Sequence, residues 1–456
     1  MKSSKILEKN PLLKRILTIM GIDKAVFYTI LGVIWSSIAG VLGIFFIVNY
    51  LSLEQQGYWY TFISLGALAT FAELGFTTII TQFISHEYAH LSEKDGKLSG
   101  DDSRIDRAIS LVKFSVKFYF IITTVAFVLL SVVGAIYLMY TNINSLTLLL
   151  AWIAYSFTGA FLLLVSLLGA VLKGFDQVSK VQKIITFVSI VSNISIWGAL
   201  MLGLNLWALA IGGIVNMIFS IVLFLFSSKS LWSQIYYTKI NGSYNWLRET
   251  LPLQWRYAIS WASGYFIFQF IVPVTTLYAG ASVSGKLGLS LVIARAVQYL
   301  ANSWGMTKVP QFNMLVERKE RSNLDILLKT IQQQSLIAFI VGSIGVILLL
   351  IYIFPLINWS DRVLPTSEII IILIAEGANL IVFNWAYYLR SHKEEPYMRI
   401  SAISAIVTGL AVWATMYLFS STLIALSAYC VIVLVMLIPA WRIFVKKRSE
   451  YNKTWK

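Results

Sequence analysis

Three ionisable residues lie deep inside long apolar stretches of the sequence: Glu73, Arg295 and Glu376. A charged group at the centre of a membrane helix costs about 2.5–3.5 kcal/mol, so each should face protein or water rather than lipid. An arginine presents a planar fork of donors that fits phosphate, whereas a glutamate at such depth can exchange a proton or bind a cation. The three therefore predict one anion-binding group and two candidates for ion or proton coupling.

Polar neighbours accompany all three at helical spacing. Arg295, Gln298 and Asn302 follow positions i, i+3 and i+7 and so lie on one face of a helix. The neighbours of the two glutamates are Thr70, Thr77 and Thr81 for Glu73, and Asn379 and Asn384 for Glu376. Three inward-facing polar stripes predict a hydrated cavity. The alternative interpretation is that Arg295 pairs with Glu73 or Glu376 only to hold the helix bundles together.

Three more cations lie at the predicted cytoplasmic ends of spans. They are Arg256, Lys113 and Lys117. Each is a candidate for attracting an anionic head group from the inner leaflet. The alternative for each is an ordinary topology signal, because basic residues are retained on the cytoplasmic side of a membrane.

The elements that position these groups are predicted to be membrane helices. Hydrophobic residues make up 58% of the chain and charged residues 12%, with a mean hydropathy of +0.76; soluble domains carry roughly 25% charged residues. Apolar runs recur that can cross a hydrocarbon layer ~30 Å thick. The net charge of +15 is spread over the ends of these runs, which argues against a nucleic-acid partner. The lipid bilayer is the expected environment of an all-α protein.

The predicted spans number about twelve. They lie at roughly 25–50, 58–84, 118–140, 146–172, 184–203, 205–227, 257–279, 287–305, 334–356, 367–389, 400–419 and 421–441. Of the 36 Lys and Arg residues, all but Lys286, Arg295 and Arg362 lie at the termini or in even-numbered connections. This segregation predicts that the N- and C-termini are both cytoplasmic.

A few residues recur at matching positions in the two halves of the chain, which suggests an internal repeat. Tyr50 and Gly57 close the first predicted span, and Tyr278 and Gly285 close the seventh at the same separation. Such a parallel repeat is known among transporters. We therefore predict two six-helix lobes, at 1–230 and 231–456, around a central cavity whose access alternates.

Signatures of catalysis are missing from the sequence. It has no G-x-x-x-x-G-K-[ST] phosphate loop, no H-E-x-x-H pair and no Ser/His/Asp arrangement. The predicted outward connections are also too short to carry catalytic groups. The chain is therefore expected to be a transporter rather than an enzyme, with no cofactor and no metal.

Four short motifs resemble one known family. They are Leu51-Ser-Leu-Glu-Gln-Gln-Gly-Tyr-Trp59, Ala72-Glu-Leu-Gly-Phe76, Leu172-Lys-Gly174 and Gly285-Lys-Leu-Gly-Leu-Ser290. Together they are similar to the oligosaccharide-lipid flippases of bacterial polysaccharide synthesis, within the multidrug/oligosaccharidyl-lipid/polysaccharide exporter (MOP) superfamily. The resemblance covers essentially the whole chain.

The resemblance implies a substrate and a location. The substrate would be an undecaprenyl-diphosphate-linked O-antigen or capsule repeat unit, moved from the cytoplasmic to the periplasmic leaflet of the bacterial inner membrane. Arg295 matches the arginine expected in the cavity, although it is the only arginine buried in a span. A polysaccharide polymerase and a chain-length regulator are candidate partners. Two rivals remain: a cation-coupled multidrug exporter of the same superfamily, and a membrane glycosyltransferase or polymerase.

Overall fold

The computed structural model describes the backbone of residues 24–454 except 70–72, 74, 142–144, 241, 243 and 393. The helices are α1 (Lys24–Tyr50), α2 (Leu53–Gly66), α3 (Phe76–Tyr88), α4 (Asp102–Tyr140), α5 (Leu146–Gly174), α6 (Val178–Met201), α7 (Trp207–Ser227), α8 (Lys229–Tyr237), α9 (Trp246–Phe268), α10 (Ile271–Ala279), α11 (Ala281–Met306), α12 (Val309–Glu317), α13 (Arg321–Leu348), α14 (Thr366–Ser391), α15 (Met398–Phe419) and α16 (Thr422–Thr454). Helix α13 continues through a π turn, Leu349–Ile353, and a last helical turn, Phe354–Leu356, and a 3₁₀ turn spans Ser360–Arg362.

The expectation of an all-α chain omitted one small hairpin. Strands β1 (Leu91–Lys94) and β2 (Lys97–Gly100) pair antiparallel, with Lys94 opposite Lys97. The connecting Asp95 and Gly96 have φ of 52° and 73°. An Asp-Gly pair tolerates positive φ and favours a two-residue hairpin turn, so the sequence carried this signal.

The chain forms two compact units. Unit 1 comprises 1–50, 75–135 and 145–254, and unit 2 comprises 51–74, 136–144 and 255–456. In unit 1, the buried Trp152 of α5 donates its indole N–H to the carbonyl of Leu130 in α4. In unit 2, a buried cluster that includes Phe312, Tyr388 and Phe444 joins α12, α13, α14 and α16. The predicted lobes at 1–230 and 231–456 stay a prediction.

Nine helices in the described part of the chain are long and apolar enough to cross a membrane. The count is ten if the bent pair Ala262–Phe268 and Ile271–Ala279 forms one span. The bend of 44° lies where the ring of Pro273 would clash with the carbonyl of Gln269, four residues earlier. A multi-pass helical membrane protein is thus confirmed, but the count of twelve is not.

The two predicted spans outside this count have identifiable physical features. The prediction at 58–84 includes parts of two short helices, α2 and α3, and Gly75 before α3 has φ of 73°, a conformation that glycine adopts most readily. The prediction at 287–305 lies within α11, which is 26 residues long but carries Lys286 and Arg295. Arg295, Gln298 and Asn302, which are the predicted functional residues of this helix, thus lower its hydropathy.

Two of the family-like motifs pack against one another in unit 2. A Cβ added to Gly57 in α2 would overlap the carbonyl oxygen of Ala281, and one added to Gly285 in α11 would lie 2.7 Å from the carbonyl oxygen of Leu53. Small residues allow two helix backbones to approach this closely in a membrane. The fully buried Gln56 fixes the crossing, since its Nε2 donates to the carbonyls of Gly285 at 2.7 Å and Arg362 at 3.1 Å.

Replacing Gln56 by leucine is expected to destabilise unit 2 by about 1–3 kcal/mol. The change removes two hydrogen bonds from a dry contact and leaves the Arg362 carbonyl without this partner. The measurement is the midpoint of thermal unfolding of the purified protein in detergent. Glu54→Gln, at an exposed position of the same helix, is the matched control. Equal midpoints for the two variants would contradict the assignment.

Candidate functional site

Arg295 of α11 and Glu376 of α14 form an ion pair inside unit 2. The Nε of Arg295 donates to Oε1 of Glu376 at 3.1 Å, and the side chains are 24% and 2% exposed respectively. The guanidinium carbon also lies 5.9 Å from the centre of the Phe268 ring, within the range of a cation–π contact. The pairing anticipated by the alternative interpretation is therefore present, and it joins two helices of the same unit.

The second oxygen of Glu376 is held by an amide. Nδ2 of Asn379 approaches Oε2 of Glu376 at 3.4 Å and donates to the hydroxyl of Tyr429 at 3.1 Å. The carboxylate is thus fixed on both sides, by a guanidinium and by an amide, as a buried charge requires. The second contact comes from a neutral side chain, so it orients the carboxylate without adding a charge to the pair.

The guanidinium of Arg295 is only partly used by the protein. Nη1 and Nη2 make no hydrogen bond to any residue that the structure describes, and neither is a buried atom lacking a partner. Each of the two nitrogens carries two N–H groups. The arrangement therefore presents donors that an anionic oxygen can reach.

A cavity of about 180 Å³ adjoins this pair in unit 2. Phe268 and Asn379 contribute to its wall near the ion pair, and Arg390 and Tyr397 contribute at the other end of α14. Asn379 and Arg390 are separated by eleven positions, or about 16 Å along a helix. Arg390 is itself paired with Glu395, by two contacts of 2.8 and 2.7 Å. Neither Arg295 nor Glu376 is part of its wall. The cavity therefore extends from Asn379, which contacts Glu376, toward the predicted cytoplasmic end of the helix.

The other two residues of the predicted polar face on α11 also lie in unit 2. Asn302 donates to the hydroxyl of Tyr387 at 3.0 Å, so this face is directed at α14 as well. Gln298 is buried, and its Nε2 has no hydrogen-bond partner among the described residues. Of the three side chains grouped by helical spacing, Arg295 and Asn302 both contact α14. Their role in binding a substrate stays a prediction.

The remaining predicted residues lie elsewhere. Lys113 in unit 1 donates to the carbonyls of Thr238 at 2.6 Å and Tyr236 at 3.3 Å, which anchors the end of α8. Lys117 is exposed and Glu73 is partly buried. Arg256 belongs to α9, but its side chain lies outside the described residues, as does Thr70. The predicted roles of these residues are untested.

Two participants in the site were missed from the sequence. Phe268 of α9 contacts Arg295, and Tyr429 of α16 binds Asn379, the amide that holds Glu376. The hydroxyl of Tyr429, within the predicted span 421–441, was an available signal. Helical periodicity cannot show which other helix such a group meets.

Comparisons with known proteins agree on the architecture. No family model and no curated protein matches the chain. Among solved structures, the lipid II flippase MurJ in an inward closed conformation has a TM-score of 0.65 at 12% identity, covering 94% of this chain and 91% of that one. An inward-facing multidrug resistance MATE family transporter of the MOP superfamily has a TM-score of 0.62 at 11% identity, covering 93% and 96%. The fold is that of MOP-superfamily transporters.

A third structure of the same fold differs in its binding pocket. It is a MOP superfamily transporter from Pyrococcus furiosus, described as having a pocket of reverse polarity that suggests a different function, with a TM-score of 0.52 at 12% identity over 95% of this chain and 96% of that one. At such identities the likeness establishes the fold alone. The substrate must be argued from the side chains of this chain.

Proposed function

We propose that the chain is a flippase that moves a polyprenyl-diphosphate-linked oligosaccharide from the cytoplasmic to the outer leaflet of a bacterial cytoplasmic membrane by alternating access. The observation that carries this proposal is the guanidinium of Arg295, whose terminal nitrogens are free of hydrogen bonds to the described residues, next to a cavity whose wall includes two residues that contact the ion pair, Phe268 and Asn379. An O-antigen or capsule repeat unit is the substrate class that the sequence motifs favour.

Arg295 supplies the recognition of the diphosphate. With Nε on Glu376, the terminal nitrogens can donate to two phosphate oxygens in the forked geometry that guanidinium favours. A binding site poor in water strengthens such charge-assisted bonds. Glu376 balances the charge of Arg295, so the preference for an anionic cargo comes from these free donors.

The cavity limits what is bound at one time. Its volume of about 180 Å³ is below the roughly 300–1,000 Å³ of pockets that enclose drug-sized ligands. It therefore suits a phosphate group and part of the adjoining sugar, with the polyprenyl chain remaining in lipid. Ser263 and Asn379 in its wall provide groups that can bond to sugar hydroxyls.

Glu376 supplies a means of coupling transport to a proton. In the observed state its carboxylate competes with a phosphate for Arg295. When Glu376 takes up a proton, Arg295 loses its counter-charge and becomes a stronger anion site. Proton release would then favour discharge of the head group. Glu73 is a second candidate for such coupling.

A deletion strain and a reconstituted assay test the proposal together. Loss of the gene should abolish surface polysaccharide and cause lipid-linked repeat units to accumulate, because they can no longer leave the cytoplasmic leaflet. In proteoliposomes, the protein should expose an internal lipid-linked oligosaccharide to an external lectin, whereas empty liposomes should not. Normal polysaccharide in the deletion strain would refute the proposal. Association with a polymerase and a chain-length regulator would show as co-purification.

A cation-coupled multidrug exporter is the second candidate. The buried Glu376, only 2% exposed, is the observation that favours it, since a buried carboxylate can serve a cation or a proton. The free donors of Arg295 oppose it. This candidate predicts that the deletion strain becomes sensitive to cationic dyes while its surface polysaccharide stays normal.

A further inference from the structure

A second cavity, here called the Trp385 groove, lies on unit 2 away from the Arg295–Glu376 pair. It has a volume of about 450 Å³, and its wall includes Lys329, Gln332, Trp385, Trp441, Phe444 and Arg448. The rings of Trp385 and Trp441 are 5.2 Å apart, and Trp385 stacks on Phe444 at 5.6 Å. The groove therefore combines an aromatic floor with basic and amide groups.

The charges in the groove leave one cation without a counter-ion. Arg448 is neutralised by Asp325, through contacts of 3.0 and 2.7 Å between the guanidinium and the carboxylate. Lys329 is exposed and forms no ion pair or hydrogen bond with any residue in the described ranges. The groove thus has the charge complementary to a single anion.

An amide beside Lys329 also lacks partners. Both Nε2 and Oε1 of Gln332 are buried and make no hydrogen bond among the residues that the structure describes. Lys329 and Gln332 are three positions apart on α13, so they lie on the same side of the helix. Unsatisfied buried amides are uncommon because they lose their bonds to water. A ligand with oxygen atoms would supply the missing partner.

Exposed apolar residues follow the groove along two of the helices that form it, α13 and α16. Ile337 and Ile340 of α13 and Ile438 of α16 are each more than half exposed, and they lie in helices apolar enough to span the membrane. All three come from the stretches that lead from the groove into those spans. The basic end of the groove lies on the side predicted to be cytoplasmic. Tryptophan pairs typically mark this depth, at the membrane–water interface.

We propose that the Trp385 groove binds an anionic phospholipid of the cytoplasmic leaflet. The phosphodiester is held by Lys329 and Gln332, and an acyl chain covers Trp385, Trp441 and the isoleucines beyond them. Basic pockets between membrane helices on the cytoplasmic side bind phosphate head groups in this manner. The site is separate from the proposed transport route and does not depend on it.

Native mass spectrometry of the purified full-length protein tests this site with two probes, phosphatidylglycerol and phosphatidylcholine. The intact protein should retain phosphatidylglycerol preferentially. Lys329→Gln should weaken phosphatidylglycerol binding about fivefold, the effect of one lysine near a membrane surface. It should weaken phosphatidylcholine binding less, because the choline cation of that lipid already offsets the charge of its phosphodiester. Lys446→Gln is the matched control, since it removes an exposed cation from the end of α16 outside the groove.

A second variant separates the contribution of the acyl chain. Trp441→Ala should weaken both phospholipids to a similar extent, because it removes apolar contact area and no charge. Size-exclusion chromatography checks that each variant is folded. The proposal is overturned if Lys329→Gln binds phosphatidylglycerol as the intact protein does, or if the intact protein binds the two phospholipids equally.

Discussion

Replacing Arg295 by alanine is expected to abolish surface polysaccharide while the protein remains in the membrane. The variant loses the donors that are free to bind a diphosphate. Two charge-assisted hydrogen bonds contribute about 1.5 kcal/mol or more each, so apparent affinity should fall by about 100-fold or more. Arg295→Lys keeps the charge but not the forked geometry, and it should retain part of the activity. The measurement is flipping in proteoliposomes, supported by complementation of the deletion strain.

A purely structural role of Arg295 must be separated from recognition. Removing one partner of a buried ion pair costs about 3–5 kcal/mol, and the alanine variant leaves Glu376 without its cation. The double variant Arg295→Gln, Glu376→Gln avoids this cost because it replaces the pair by two neutral amides of similar size. It should fold like the intact protein and still fail to transport. Transport by the double variant would show that the pair serves only to join α11 and α14.

Replacing Gly57 by alanine is expected to give the largest loss of stability among single methyl additions. The new Cβ would overlap the backbone carbonyl of Ala281, and backbone atoms cannot rotate away as a side chain can. Helices α2 and α11 would have to separate, which breaks the two hydrogen bonds from Gln56. Overpacking of this kind costs about 1–3 kcal/mol, and more where nothing yields.

Gly345→Ala is the matched control for Gly57→Ala. Gly345 lies in α13, and a Cβ added there meets no atom within 4 Å. An alanine in a helix is favoured over glycine by about 0.5–1 kcal/mol, so this variant should be as stable as the intact protein or more so. The unfolding midpoint in detergent checks both variants. If Gly57→Ala and Gly345→Ala have the same unfolding midpoint, the close approach of α2 and α11 is not required for stability.

The proposals for the Trp385 groove and for the Arg295–Glu376 pair are tested by separate experiments. A failure of lipid binding at Lys329 would leave the transport proposal unaffected, because the two sets of residues do not overlap. A failure of transport would likewise leave the lipid site in place. The two proposals can therefore be judged separately.

The sequence by itself indicated a membrane protein and most of its helices, and it singled out the charged residues within the apolar stretches. Apolar runs of sufficient length dictate helices, because only helices or closed barrels satisfy backbone groups in lipid. Helical periodicity also placed Arg295 and Asn302 on one face, and both contact α14 in the structure. These features follow from local spacing and need no knowledge of distant neighbours.

Only the tertiary structure decided which groups meet. The choice of Glu376 rather than Glu73 as the partner of Arg295, and the contributions of Phe268 and Tyr429, depend on how helices far apart in the chain pack. The close contact between Gly57 and Ala281 is of the same kind. Spacing along a helix specifies a direction for each side chain, but the helix that it faces is set by the packing of the whole unit.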